Sequence, residues 1–151
     1  MKYKMDKSFY ENLITEAKKC GIKRYVVGAI IAENRKVLLL ERPKEDFMGG
    51  IYELPSGKVE EEEPLDQALY REVKEETNLD VEKIENYLGC FDYESKSGKK
   101  TRQFNFVVSV KKPMEIKLSE HTNYAWADEN SLQKYPVTDS VKRLLTLFWA
   151  K

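Results

Sequence analysis

Gly57-Lys-Val-Glu-Glu-Glu-Glu63-Pro64-Leu65-Asp66-Gln67-Ala68-Leu69-Tyr70-Arg71-Glu72-Val73-Lys74-Glu75-Glu76-Thr77-Asn78-Leu79 combines a dense run of carboxylates with a helical period. Pro64 suits a helix start, where its missing N–H does no harm, and the pattern predicts a helix from Pro64 to Thr77. Turned by about 100° per residue from Leu65, Ala68 and Leu69 fall within about 60° and make the core-facing stripe. One turn later Glu72 and Glu76 occupy that stripe, with Val73 and Glu75 at its edges. Asp66, Gln67, Tyr70 and Lys74 take the opposite side. The carboxylates therefore continue the inward face.

Acids at i, i+3 and i+4 are neighbours that repel one another, and partial burial strips their hydration. Such a cluster is unfavourable unless protons or a cation neutralise it. Oxygen-only donors suit Mg²⁺, or Mn²⁺ as its substitute, and Mg²⁺ usually shares its shell with a substrate phosphate. The plainer alternative is a solvated Glu helix with Arg71 and Lys74 alongside, favoured for an isolated Glu cluster in a chain that is 34% charged. The stripe position sets the two readings level.

Outward from this helix the chain reads as one domain, residues 1–151, with no repeat or low-complexity linker. Asp6 to Lys19 has the apolar spacing of a helix stopped by Gly21, so residues 1–21 form an N-terminal appendage. The sequence leaves open whether that helix caps the domain or makes a homodimer contact. Tyr25–Ala32 and Lys36–Glu41 are β-rich runs around an Asn-containing turn, a hairpin. Ile51–Leu54 is a short strand ended by Pro55-Ser-Gly57. Glu85–Tyr93 and Arg102–Val110 are strands joined by a polar loop, and the alternation of the second suits a sheet packed chiefly on one face. Tyr124–Trp126 is another strand and Asp128–Lys134 a short helix; Thr138 caps a last helix with the stripe Val141, Leu144, Leu145 and Phe148. The whole is a mixed sheet flanked by helices.

Composition removes several classes. Lys plus Arg and Asp plus Glu both number 26, so a general nucleic-acid binder, which needs a basic excess, loses weight. One His and two distant cysteines, Cys20 and Cys90, cannot build a closed His/Cys zinc site or a CxxC motif, and suggest reduced thiols in a cytoplasmic protein. The charged first residues lack a signal-peptide core, and the longest apolar run, Tyr25–Ala32, is too short to cross a bilayer. A small-molecule partner is expected, with neither nucleic acid nor membrane.

By spacing, the opening segment is Gly57-x5-Glu63-x7-Arg71-Glu72-Val73-x-Glu75-Glu76-x-Asn78-Leu79. It resembles the Nudix box, Gx5Ex7REUxEExGU with U aliphatic, and the preceding Glu53-Leu-Pro-Ser56 resembles the run that leads into that box. Asn78 stands in place of the last Gly, a position that follows a helix and takes left-handed backbone. Asn is the next most tolerant residue there, so a modest stability cost and intact chemistry are expected. The resemblance implies an α+β fold, an α/β/α sandwich with a mixed sheet, and metal-dependent hydrolysis of a nucleoside diphosphate linked to another group. It puts metal ligation on Glu72, Glu75, Glu76 and the Gly57 carbonyl. Glu63 would support the loop–helix geometry and a second metal, and Arg71 would orient a box glutamate. Many members place a further Glu, as base or extra ligand, on a loop after the later strands, and Glu120 in Leu118-Ser-Glu-His-Thr122 has that position. A solvated surface Glu is the plainer reading of the same residue.

Chain length, with little room for an added recognition domain, tilts the expected substrate towards a (deoxy)nucleoside triphosphate. ADP-ribose, other nucleotide sugars and dinucleoside polyphosphates remain open, as does a non-catalytic nucleotide-sensing module for which Asn78 is the one hint. Tyr52, Phe104, Phe106, Tyr124 and Trp126 could stack on a base, although aromatics at strand spacing are more often core. Lys44, Lys99, Lys100 and Arg102 could meet phosphates, with solvent exposure the default; His121 is assigned no chemistry, and Gly49-Gly50 is loop punctuation.

Overall fold

The computed structural model describes residues 4–112 and 114–150. Asp6 starts helix α1 (Lys7–Lys19), its side chain accepting the Phe9 N–H at 2.9 Å, and Gly21 leaves the helix at φ 78°. Strands β1 (Arg24–Glu33) and β2 (Lys36–Glu41) form the expected hairpin, with Asn34 and Arg35 at φ 52° and 65°, the left-handed pair such a turn requires. The two pair only at Ala32↔Val37 and Glu33↔Lys36 before they part. Beyond that split β1 takes β4 (Ser56–Lys58) on the vacated edge, while β3 (Tyr52–Glu53) and β7 (Asn123–Ala127) pair with β2. On its other edge β1 runs parallel to β6 (Lys100–Val110), which in turn pairs antiparallel with β5 (Val81–Glu94).

The Pro55-Ser-Gly57 stretch, expected to be only a turn, thus contributes Ser56 and Gly57 to a strand. The β1 edge left open by β2 needs backbone partners, and this segment supplies them.

Helices cover both faces of the sheet. On one, α1 and α2 (Leu65–Thr77) bury Tyr10, Ala17, Leu65, Ala68, Leu69 and Val73 against Val27, Ala29, Phe104 and Phe106. On the other, α3 (Asp139–Trp149) buries Val141, Leu144, Leu145 and Trp149 against Ile30, Leu39, Leu54 and Leu88. This is an α/β/α sandwich around a mixed sheet. Helix α1 packs on the domain's core, one of the two roles that its amphipathic pattern left open.

Three local expectations change. Asp128–Lys134 is a turn followed by one 3₁₀ turn, Leu132–Lys134. Asp128 and Ser131 bond to each other's backbone N–H at 2.8 and 3.0 Å, a local alternative to helix. In α3, Trp149 is more buried than Phe148 because its indole N–H donates to the Arg35 carbonyl at 2.7 Å. Finally, the polar side of β6 is not solvated: Thr101, Gln103 and Asn105 are all buried.

Among the described residues no helix is long and apolar enough to cross a membrane. Phe106 is fully buried, with ring centroids of Tyr10 and Tyr87 at 5.9 and 5.2 Å. Phe106→Ala should cost about 3–5 kcal/mol in urea unfolding, and a loss below about 1 kcal/mol would contradict this packing.

Candidate active site

Arg71, at the middle of α2, is the hub of the acidic segment. Its Nε and Nη2 fork onto the two Glu63 oxygens, each at 2.8 Å, and Nη2 also donates to the Lys58 carbonyl at 3.0 Å. Nη1 reaches Glu72 at 2.6 Å and Glu75 at 3.4 Å. The Glu63 bond, first, and then Glu72 raise the Arg71 pKa well above its ordinary value. The same bond holds Glu63 below the usual carboxylate range, and Glu63 also accepts the Glu60 N–H at 3.0 Å. A planar fork matches a carboxylate in a way a Lys cannot.

Glu72 and Glu76 lie inward, as their stripe position predicts. Burial pushes the Glu72 carboxyl up and outweighs the Arg71 contact that pulls it down. Burial pushes Glu76 up to about 8, against the pull of the Ser56 N–H, which donates to Glu76 Oε1 at 2.8 Å. The charges of Glu72, Glu53 and Glu120 raise it further. Gly57 sits directly on Glu72: an added Cβ would collide with that carboxylate and push it off its contact with Arg71. Glu75 points outward, its side chain 58% exposed.

A cleft of about 640 Å³ opens beside these groups, and Gly57, Glu76 and Glu120 line it. Of the residues expected to hold a metal, Gly57, Glu72 and Glu76 come together, Glu63 is turned into Arg71, and Glu75 stands apart. Among the described residues no three His, Cys, Asp or Glu side chains form a ready-made cage. The donor chemistry nevertheless fits a hard divalent ion: all donors are oxygens, and the buried Glu76 carboxyl has a main-chain N–H as partner but no paired cation among the described residues. Asn78 adopts φ 71°, the left-handed backbone anticipated for the position, and its Nδ2 donates to the Glu115 carbonyl at 3.0 Å.

Other cleft residues escaped the sequence. Glu53 accepts from His121 Nε2 at 2.8 Å and from Arg42 at 3.3 Å, and both partners line the cleft. His121 Nδ1 is buried without a partner among the described residues. The proximity of Glu53 to the box was a signal; the pairing with His121, across 68 positions, was not legible. The cations lining the cleft are Arg24, Arg42 and Lys96. Arg102 instead pairs with Asp92 at 2.7 Å, and Lys100 donates to the Cys20 carbonyl. Phe104 and Phe106 are core, whereas Tyr52 and Phe91 line the cleft.

A family model described as the NUDIX domain matches residues 22–148. The CTP pyrophosphohydrolase of Escherichia coli (strain K12) is 30% identical over 125 residues, 83% of this chain and 90% of that protein. The 8-oxo-dGTP diphosphatase of Proteus vulgaris is 43% identical over 54 residues, 36% of this chain and 48% of that protein, so this match spans about half the relative's length. The solution structure of the E. coli ORF135 protein superposes with a TM-score of 0.71 at 29% identity, covering 87% of this chain and 92% of that one.

A carboxyl whose folded pKa is raised favours the fold in its protonated form. The contribution of Glu76 is complete below its ordinary 4.5 and is lost as pH rises through about 8. In chelator, the melting temperature should therefore fall by several degrees more over that window in the wild type than in Glu76→Gln. Parallel profiles for the two proteins would refute the buried, uncompensated carboxyl.

Proposed function

The chain belongs to the Nudix hydrolase family, and on that premise we propose a Mg²⁺-dependent pyrophosphohydrolase that cleaves a (deoxy)nucleoside triphosphate by attack of water at phosphorus. The carrying observation is Glu76, a carboxyl buried at the cleft beside Gly57 and Glu72 with no cation among the described residues paired to it.

Glu72, Glu76 and the Gly57 carbonyl, which lie together, would hold the metal, and Glu75, which faces outward beside Arg71, would have to turn in to join them. Bound there, the metal would withdraw charge from phosphoryl oxygens and acidify a water molecule. Arg71 keeps the acidic loop and helix in register by holding Glu63, whose two oxygens are thereby taken, so Glu63 braces the site. Glu120 lies on the cleft within electrostatic reach of Glu76, placed to receive a proton from the attacking water. Arg42 and Lys96 offer positive charge to phosphate oxygens along the same cleft.

The cleft volume suits a ligand of nucleotide size. A triphosphate substrate is further supported by the E. coli relative, named for CTP, whose match spans most of both chains. A cytoplasmic setting agrees with the free cysteines Cys20 and Cys90.

A panel of nucleoside triphosphates, ADP-ribose and nucleotide sugars assayed with Mg²⁺ should show turnover of at least one triphosphate, lost in chelator. Glu76→Gln should lower kcat about 10²-fold or more while the protein still melts cooperatively. Turnover of ADP-ribose alone would replace the substrate. Tight nucleotide binding without hydrolysis would replace the enzyme with a sensing module.

A further inference from the structure

The floor of the cleft carries a polar group that the hydrolytic chemistry does not use. Gln103 lies on β6 between Val26, its partner on β1, and Phe91, its partner on β5. All three line the cleft, and Gln103 is only 6% exposed. A buried amide among apolar neighbours is costly unless it is hydrogen-bonded.

Its bonding has a forced direction. Asn105 Nδ2 donates to two main-chain carbonyls, Gly89 at 3.1 Å and Gln103 at 3.3 Å. Carbonyls only accept, so the Asn105 amide has one orientation and turns its Oδ1 towards Gln103. Gln103 must answer with its Nε2, which donates at 2.9 Å. Gly28 lies flat beneath this pair, and a Cβ there would strike both Gln103 Nε2 and Asn105 Oδ1. The Gln103 carbonyl Oε1, left over, accepts from no described residue and is not sealed inside the protein.

Resting on the nucleotide reading above, we propose that Gln103 is the base-reading residue of the cleft: its fixed Oε1 accepts an N–H of the nucleobase. Phe91 beside it supplies an aromatic wall for the ring, and Val26 an apolar floor. Asn105 is a positioning residue that sets which end of the Gln103 amide the base meets. A base with no N–H would leave Oε1 buried and unpaired, and leaving such an acceptor unmade discriminates more strongly than the bond itself attracts.

The test compares kcat/KM for the preferred triphosphate with that for an analogue whose base has lost its N–H groups. Purine riboside triphosphate serves for a purine, and the N3-methyl base for uracil or thymine. Wild type should favour the parent by about 10- to 100-fold, chiefly through KM. Gln103→Leu should treat the two alike, the parent falling to about the wild-type value for the analogue. Equal use of parent and analogue by wild type, or a preference kept by Gln103→Leu, overturns the proposal. Gln103→Met replaces the Leu variant if that one melts below the assay temperature, and the wild-type comparison needs no variant. A wild type inert towards every nucleotide overturns the underlying nucleotide reading, and the proposal with it.

Discussion

One guanidinium holds the acidic segment together. Arg71 spends its donors on Glu63, Glu72, Glu75 and the Lys58 carbonyl, tying the loop ahead of α2 to the helix itself. Without it, the carboxylates of that loop and helix would repel across a partly buried gap. With it, Glu63 becomes a brace, and Glu72 is held so close to Gly57 that any side chain there would have to displace its carboxylate. Glu76 receives no share of this charge. The imbalance is local, and it sits at the cleft.

The cleft itself arises from how β1 divides its pairing. After two pairs with β2 it releases that strand and accepts β4 in its place. The split opens space between the two halves of the sheet, on the face where α3 begins, and it delivers Ser56 and Gly57 to the acids of α2. The same short strand therefore completes the sheet and supplies the N–H that Glu76 accepts. Architecture and chemistry share the same few backbone atoms, so a change at Gly57 would be felt in both.

Much of this was legible along the chain. The box spacing identified the family, the 3.6-residue period turned Glu72 and Glu76 inward, and the cap Thr138 and the left-handed Asn78 stand where their chemistry predicts. These are local properties: capping, backbone tolerance and helical phase depend on residues within a few positions. The misses were not local. Asp128–Lys134 lost its helix to a side-chain exchange between Asp128 and Ser131, a competition that periodicity does not register. Gln103 and Asn105 lie on the side of β6 that the alternation left to solvent, because nothing in β6 announces that this side will be buried.

The amino-acid order alone determined the family, the inward acids and the hard-oxygen chemistry that follows, since each rests on residue type at fixed spacing. Tertiary structure decided which carboxylates lack a counter-charge, which cations reach the cleft and which amide faces it. Those are questions of distance between segments far apart in sequence, as with His121 beside Glu53 or Asn105 against the Gly89 carbonyl. Burial and hydrogen-bond direction exist only once the strands have been laid side by side.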